Sequence, residues 1–159
     1  MVSDGSDAVK TLLIVFHSQS GSSAALARAL WRGAREEAGV RALLQRAWDS
    51  GSADLLSADA LVLVAAENSG SLSGGMKDFL DRVFYPAHLR DLVLPCALVL
   101  SAGNDGRNAS AQARRILSGI PFTEATPPLI CRGEVSESHR QQCRELGQAL
   151  AAGLAMGIF

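Results

Sequence analysis

Apolar residues are concentrated in five short runs along the chain, and these runs predict β-strands. The first, third and fourth runs are almost continuously apolar, which is typical of parallel strands covered on both faces. The second and fifth are shorter or more polar, so we expect them at the edges of the sheet. The predicted strands are 11–16, 40–45, 60–66, 96–101 and 128–132.

Between these runs, apolar residues recur every three or four positions, and this spacing predicts helices. We expect the first helix to end at Gly39 and the second to begin after Ser73 as its N-cap. Around 54–56 there is room for only a turn or a small helix. The predicted helical faces are formed by Leu26, Leu30 and Ala34; by Met76, Phe79, Leu80, Val83 and Phe84; by residues 111–117; and by Cys143, Leu146, Leu150 and Leu154.

Strands that alternate with helices predict an α/β fold with a parallel sheet and right-handed crossovers. Five strands suit the order 2-1-3-4-5 better than the six-stranded dinucleotide-binding arrangement. The sequence shows neither a linker nor an internal repeat, so we expect residues 10–159 to form one domain. The polar residues 1–9 are expected to form a flexible tail.

Composition excludes several classes of function. The 159 residues carry a net charge of -1, whereas a nucleic-acid-binding protein would normally present a basic face. The chain has no apolar run long enough to cross a bilayer, and no signal sequence, so we expect a cytoplasmic protein without a membrane partner. The three cysteines have no metal-ligand spacing and the histidines are scattered, so we expect buried, reduced thiols and no metal site.

The loop after the first strand, HSQSGSS from His17 to Ser23, carries four serines and one glycine immediately before a helix. Helix N-termini present free N–H groups and a positive dipole end, and serine hydroxyls add further donors. The loop contains no lysine or arginine. We therefore expect the phosphate of a bound cofactor here, since a transferred phosphate usually needs a cation or a metal. The simpler alternative is that the serines only cap the helix and form turns.

Other phosphate chemistries do not fit this loop. The G-x-x-x-x-G-K-[ST] pattern of nucleoside-triphosphate sites and the G-x-G-x-x-G dinucleotide fingerprint are both missing. A thiol phosphatase would need a cysteine at this position. A phospho-accepting receiver domain would be expected to have an acidic pair after the first strand.

The loop after the third strand begins AENSGSLSGGMKDFLDR, and a glycine-rich turn, SAGNDGRNA, follows the fourth strand. Together with the serine loop, these stretches resemble the flavodoxin superfamily, in particular the small NAD(P)H-dependent FMN reductases and flavodoxin-type quinone reductases. Proteins of this kind typically carry P-E-Y/F-N-G-S/Y-x-x-G-x-x-K after that strand. The matching residues here are Glu67, Asn68, Gly70, Ser71, Gly74, Lys77, Asp81 and Arg82.

The resemblance implies a flavodoxin-like three-layer sandwich that binds FMN, with the phosphate on the serine loop and the ring between the two later loops. The flavin would carry the redox chemistry, so the resemblance implies no catalytic side chain. The implied FMN-binding residues are Ser18, Gln19, Ser20, Gly21, Ser22, Ser23, Glu67, Asn68, Ser69, Gly70, Ser71, Leu72, Gly103, Asn104, Asp105 and Gly106.

The activity implied by the resemblance is oxidoreduction, with NAD(P)H as electron donor and a quinone, flavin or similar small molecule as acceptor. Reductases of this type are often dimers, so a homodimer is one assembly that the resemblance allows. Two alternatives stay open. One is a domain with weak or lost FMN binding that serves as an interaction module, since the implied ring-binding residues 67–72 and 103–106 include no aromatic residue. The other is an electron-carrying flavodoxin, which would be expected to have a more acidic surface.

Several residues near these loops have simpler interpretations. His17 is expected to be a packed or hydrogen-bonding histidine, and Asp105 a turn residue facing solvent. Trp31 and Trp48 are expected in core or interface packing. Residues 84–88 are expected to end the second helix. Arg107 is a candidate for recruiting a nicotinamide phosphate.

Overall fold

The computed structural model describes residues 8–120 and 122–159. Its central sheet has the order β2-β1-β3-β5-β6, which confirms the predicted strand order, because β5 is the fourth predicted strand. The fifth position of the sheet is shared by β6 and β7, which pair in parallel with different parts of β5. The strands are β1 Lys10–Phe16, β2 Val40–Arg46, β3 Ala60–Asn68, β4 Ser71–Leu72, β5 Pro95–Ala102, β6 Thr123–Glu124 and β7 Leu129–Arg132.

The fifth predicted strand, 128–132, corresponds to β7, and β6 was not predicted. The segment between β6 and β7 contains Pro127 and Pro128. Proline has no N–H to give to the strand ladder, so pairing is interrupted there. This break places two short strands where the sequence indicated one.

Five α-helices cover the two faces of the sheet, and residues 54–56 do lie in a small helix. A three-residue 3-10 helix, Ala47–Asp49, precedes it. Within the described residues, none of the helices is long and apolar enough to span a membrane. The helices are α1 Ser22–Ala34, α2 Ser52–Leu56, α3 Gly74–Leu89, α4 Arg107–Gly119 and α5 Glu137–Ala155.

The alternation of side chains along β1 divides the core into two layers. Leu13 and Val15 pack with α3 and α4 on one face, whereas Leu12 and Ile14 pack with α1 and α5 on the other. All four side chains are essentially inaccessible to solvent. The continuous apolar stretch 12–15 of β1 is therefore buried on both faces, as the sequence predicted.

Two helix ends differ from the sequence prediction. Helix α1 ends at Ala34, not at Gly39, because the backbone N–H of Arg35 closes the last turn. Helix α3 continues through Pro86 to Leu89, so residues 84–88 are helical and do not form a turn. Burial of Val83 and Ala87 on the core face favours this continuation.

The three cysteines are free and buried, as predicted. Burial, with a smaller contribution from Glu124, raises the pKa of the Cys96 thiol to about 12. Most of the predicted N-terminal tail, residues 1–7, lies outside the described residues, so the tail stays a prediction.

Candidate functional site

Three loops meet at the carboxyl edge of the sheet because β1, β3 and β5 are neighbours in the strand order. Ligands of open α/β sheets bind at this edge, where the strand order reverses. Loop one, 17–21, follows β1 and leads into α1. Loop two is the turn between β3 and β4 with its flanking residues, 67–73. Loop three, 103–106, follows β5 and leads into α4.

The N-terminus of α1 is open to an anion. Gly21 is the N-cap residue and has φ 100°, a left-handed conformation that favours glycine. No side chain of the described residues caps this helix, and its first turn contains no acidic residue. Apart from Gly21 itself and its two neighbours in the chain, no atom of the described residues lies within 4 Å of the position that a Cβ on Gly21 would occupy. The positive end of the helix dipole is therefore neither neutralised nor covered.

The four serines of the loop have different structural roles. The Ser18 hydroxyl accepts a hydrogen bond from the backbone N–H of Gly21 at 3.0 Å, which holds the turn. The Ser23 hydroxyl is buried 3.2 Å from the hydroxyl of Ser101 at the end of β5. The hydroxyl oxygens of Ser20 and Ser22 lie 3.5 Å from each other near the surface. The structure thus leaves Ser20 and Ser22 as the hydroxyls most available to a bound anion.

Loop two is a tight antiparallel hairpin, which the sequence analysis did not predict. Asn68 of β3 pairs with Ser71 of β4, and two residues connect them. Ser69 has φ 50° and Gly70 has φ 75°, and positive values at both central residues are what a type I′ turn requires. Ser69 is the less favourable residue of the two, because a side chain at positive φ is strained.

Side-chain hydrogen bonds connect the hairpin to its neighbours. The Asn68 side-chain amide donates to the Gln19 side-chain oxygen at 3.1 Å, which joins loop two to loop one. The Gln112 side-chain oxygen accepts from the backbone N–H of Leu72 at 2.9 Å. The Leu72 side chain lies in the core, so this predicted site residue supports the hairpin and does not line the cleft.

Glu67 connects loop two to α4. Its Oε2 atom accepts a hydrogen bond at 3.1 Å from the backbone N–H of Ala109, the third residue of the helix. A carboxylate from β3 therefore occupies the N-terminus of α4. The N-terminus of α1 has no such partner, so the two helix ends differ in their capacity to bind an anion.

Loop three forms a turn that starts α4 four residues before the predicted position 111. The Asp105 carboxylate accepts from the backbone N–H of Arg107 at 3.0 Å, so Asp105 acts as a turn residue, as expected. Gly103, Asn104 and Asp105 are exposed. Gly106 is buried, and a Cβ there would approach the Ile130 side chain to 2.9 Å.

His17 and Trp48 lie together beside loop one. His17 is 7% exposed and its ring packs against Gly75 at the start of α3, so it is a packed histidine, as expected. The Trp48 ring lies edge-on to it at 5.9 Å and is 64% exposed, so Trp48 lies outside the core. The only buried side-chain polar atoms without a partner among the described residues are His17 Nδ1 and Ser73 Oγ. Ser73 thus occupies the N-cap position of α3 without capping it through its side chain.

The residues on α3 that match the family pattern form ion pairs within the helix. Lys77 forms an ion pair with Asp81 at 2.7 Å. Arg82 pairs with Asp78 at 2.9 Å and also donates to the carbonyl oxygens of Ala47 and Ser50. Arg82 therefore holds the short 3-10 helix that carries Trp48. Sequence spacing gave no signal for this contact, since more than 30 residues separate the partners.

These features are compatible with FMN. A phosphate monoester would find an uncapped helix end, the open space above Gly21, the exposed hydroxyl of Ser20 and the half-buried hydroxyl of Ser22. A ring system would lie against the hairpin and the exposed residues of loop three. The fit depends on backbone and hydroxyl groups, because neither loop two nor loop three contains an aromatic residue.

Comparisons with known proteins agree with this geometry. The family model described as NADPH-dependent FMN reductase matches residues 35–130. A flavodoxin from Aquifex aeolicus (strain VF5) is 27% identical over 169 aligned residues, which cover 92% of this chain and 88% of that protein.

Solved structures show the same fold at low sequence identity. A flavodoxin from the domain Archaea has a TM-score of 0.77 and 19% identity, and the match covers 91% of this chain and 98% of that one. A WrbA-like flavodoxin from Agrobacterium tumefaciens has a TM-score of 0.73 and 18% identity, covering 93% and 98%. Rubredoxin oxygen:oxidoreductase from Desulfovibrio gigas has a TM-score of 0.79 and 16% identity, covering 96% of this chain and 38% of that one.

Proposed function

This chain belongs to the NADPH-dependent FMN reductase family within the flavodoxin superfamily, and from that membership we propose that it binds FMN and uses it to reduce a small acceptor. The electron donor in this proposal is NAD(P)H, and the acceptor is a quinone, a flavin or a similar molecule. The observation that carries the proposal is the open N-terminus of α1 beside Ser20 and Ser22.

The phosphate of FMN would be held by neutral donors. The backbone N–H groups in the first turn of α1 and the hydroxyls of Ser20 and Ser22 would donate to its oxygens. Ser18 and Ser23 would act indirectly, since one supports the turn at Gly21 and the other fixes α1 to β5. A loop without a cation suits a phosphate that binds and stays in place.

The ring of FMN would lie between the hairpin and loop three. When bound, FMN would supply the redox chemistry, which is the transfer of two electrons and a proton between a nicotinamide donor and the acceptor. The chain's own contribution is to orient the ring. The tight turn at Ser69 and Gly70 would offer backbone groups to one side of the ring, and the exposed residues Gly103 to Asp105 would offer backbone N–H groups to another.

Arg107 is suited to attract the phosphates of the donor. Its side chain is 80% exposed and its Nε atom lies 3.7 Å from an Asp105 oxygen, so the ion pair is loose and accessible. The residue follows loop three directly, next to the proposed ring position. An exposed guanidinium can bind a phosphate through two hydrogen bonds.

A homodimer is part of the proposal. Tyr85 and Leu89 are exposed large side chains one helical turn apart on α3, and contact with a second copy would bury them. Size-exclusion chromatography with light scattering tests this, and a monomeric mass would remove the dimer from the proposal.

The second candidate is an interaction module with weak FMN binding. The lack of aromatic side chains in loops two and three favours it, because stacking on an aromatic residue contributes about 1 kcal/mol beyond burial. Loss of two such contacts would weaken binding by more than about tenfold.

The deciding experiment is FMN titration monitored by flavin fluorescence, together with an absorbance spectrum of the purified protein. We expect saturable quenching, and we expect the double variant Ser20→Ala/Ser22→Ala to bind about tenfold more weakly. Ser118→Ala is the matched control, since its hydroxyl bonds to the Arg115 carbonyl at the far end of α4.

Oxidation of NADPH or NADH by the loaded protein with a quinone acceptor then tests the reductase activity. If the parent protein binds no FMN, the proposed reductase function is wrong and the interaction module is favoured.

A further inference from the structure

We propose that the Glu67 carboxylate is a positioning residue that makes the FMN site favour the oxidised cofactor over the reduced one. The inference rests on the proposed function and concerns how the site would set the reduction potential of its flavin. It is drawn from the position of Glu67, which belongs to loop two and whose side chain reaches the N-terminus of α4, the helix that follows loop three.

The carboxylate is fixed at the N-terminus of α4. Glu67 Oε2 lies 3.1 Å from the backbone nitrogen of Ala109. Three residues further along the helix, Gln112 accepts from the backbone N–H of Leu72, the residue that pairs with Glu67 across the hairpin. Two hydrogen bonds therefore hold the first turns of α4 against loop two. The Glu67 side chain has little freedom to move away from a ring placed between loops two and three.

The charge of Glu67 is not offset by an ion pair. None of the ion pairs formed within residues 8–120 and 122–159 includes Glu67, and the residue is half-buried, where solvent screens a charge less. Asp105 is also near this helix end, but it is more exposed and faces the Arg107 guanidinium at 3.7 Å. Among the described residues, Glu67 is thus an acid of this helix end that has no cationic side chain as a partner.

The two helix ends at the site have opposite electrostatic character as a result. The N-terminus of α1 has no acidic residue in its first turn and can receive the phosphate. The N-terminus of α4 would otherwise be a second anion site, but Glu67 already fills it. The phosphate is thereby directed to α1, and α4 cannot stabilise a negative charge on the ring.

A negative charge develops on the ring when bound FMN takes up two electrons and one proton. A free helix N-terminus at the edge of the ring would stabilise that charge, whereas a carboxylate at the same place opposes it. The site should therefore bind the reduced cofactor less tightly than it would without Glu67. Weaker binding of the reduced form lowers the reduction potential and makes the bound flavin a stronger reductant.

The test is the midpoint potential of the bound flavin, measured by co-reduction with a reference dye, in the parent and in Glu67→Gln. Glutamine retains an oxygen that can accept from Ala109 but has no charge. We expect the ratio of reduced to oxidised FMN affinity to rise about tenfold, which corresponds to a potential about 30 mV higher for a two-electron couple. Glu137→Gln is the matched control, because it removes the same charge from the first turn of α5. We expect it to stay within about threefold of the parent.

Two further variants separate charge from structure. Gln112→Ala removes the neutral hydrogen bond to the hairpin and keeps the charge, so its affinity ratio should match that of the parent. Glu67→Ala removes the charge by a second substitution and also frees the N–H of Ala109, so its rise should be at least as large as that of Glu67→Gln. The second variant covers the case in which one of them fails to fold. If the parent binds FMN and both uncharged Glu67 variants match Glu137→Gln, the inference is wrong and the proposed function stands. If the parent binds no FMN, the proposed function fails and this inference fails with it.

Discussion

The hydroxyl of Ser23, in the first turn of α1, lies 3.2 Å from the hydroxyl of Ser101 at the end of β5. Both residues are buried, and 78 positions separate them in the sequence. The bond fixes the helix that follows the serine loop to a strand two positions away in the sheet. One serine of an apparent phosphate motif is thus a structural residue.

Substitution of the serines should separate stability from binding. Ser23→Ala leaves the Ser101 hydroxyl buried without its partner, so we expect the free energy of unfolding to fall by about 1–2 kcal/mol. Ser22→Ala, near the surface of the same helical turn, should change it by less than about 0.5 kcal/mol. Urea unfolding followed by circular dichroism measures both. Equal losses in the two variants would contradict the assigned roles.

Close packing of α1 on α5 depends on two glycines. A Cβ on Gly33 would overlap the backbone carbonyl of Arg144, and one on Gly147 would overlap the carbonyl of Leu30. A methyl group at either position would fit only if the two helices moved apart. We therefore expect Gly147→Ala to destabilise the protein by about 1–3 kcal/mol.

Gly74→Ala is the matched control for this prediction. Gly74 is the first residue of α3, and no atom lies within 4 Å of the position that a Cβ there would occupy. Alanine is a better helix former than glycine, so this variant should be neutral or slightly stabilising. Thermal unfolding of the two variants compares them, and a parent-like melting temperature for Gly147→Ala would refute the packing account.

The hairpin of loop two can be strengthened at Ser69. Its φ of 50° is tolerated better by asparagine than by serine, and Asn-Gly is the preferred pair for a type I′ turn. We expect Ser69→Asn to stabilise the protein by about 0.3 kcal/mol. Gly70→Ala, at φ 75°, should instead destabilise it by about 1 kcal/mol. Urea midpoints of the two variants should move in opposite directions, and a shift in the same direction would contradict the turn assignment.

The Cys96 thiol should make stability depend on alkaline pH. Burial raises its pKa from 9.0 to about 12, so the folded protein keeps a proton that the unfolded chain releases. The stabilisation of the folded state that comes from the protonated thiol is fully present below about pH 9 and is lost as the pH rises towards about 12. Over that range the free energy of unfolding falls by up to about 1.4 kcal/mol per pH unit. Unfolding midpoints measured from pH 8 to pH 10.5 should fall more steeply in the parent than in Cys96→Ala. If the midpoints of the parent and of Cys96→Ala fall in parallel, the Cys96 thiol does not contribute to the pH dependence of stability.

Thiol labelling provides a second measurement on the same residue. In the native protein at pH 8, Cys96 should react with a disulfide reagent far more slowly than in urea, because the reactive thiolate is nearly absent. Fast labelling of Cys96 in the native protein would contradict its burial.

The strands were predictable because their signal is local. Each predicted run coincides with an observed strand to within two residues at either end, as for β1, predicted at 11–16 and observed as Lys10–Phe16. A continuous apolar run indicates a strand that is buried on both faces, and such a run can be recognised from consecutive residues alone. The alternation of strands with helices then restricts the sheet order to very few arrangements.

Helix boundaries were less predictable because they depend on contacts between elements. Helix α4 begins at Arg107 because Asp105 and Glu67 both accept from its first N–H groups, and Glu67 belongs to β3. Helix α3 passes through Pro86 because Val83 and Ala87 face the core. In both cases a tertiary contact outweighs the local signal.

The fold class and the position of the serine loop can be derived from the sequence alone, since both follow from periodicity and from residue types at neighbouring positions. The alternation of strands and helices further restricts the strand order to a few arrangements. Three features of the site become visible only once the chain is folded. They are the burial of Ser23 against Ser101, the exposure of Trp48 beside His17, and the contact of Glu67 with the N-terminus of α4. These features depend on pairs of residues that are far apart along the chain. Such pairs come into contact only when the sheet aligns the carboxyl ends of β1, β3 and β5, and no local pattern specifies which side chains then meet.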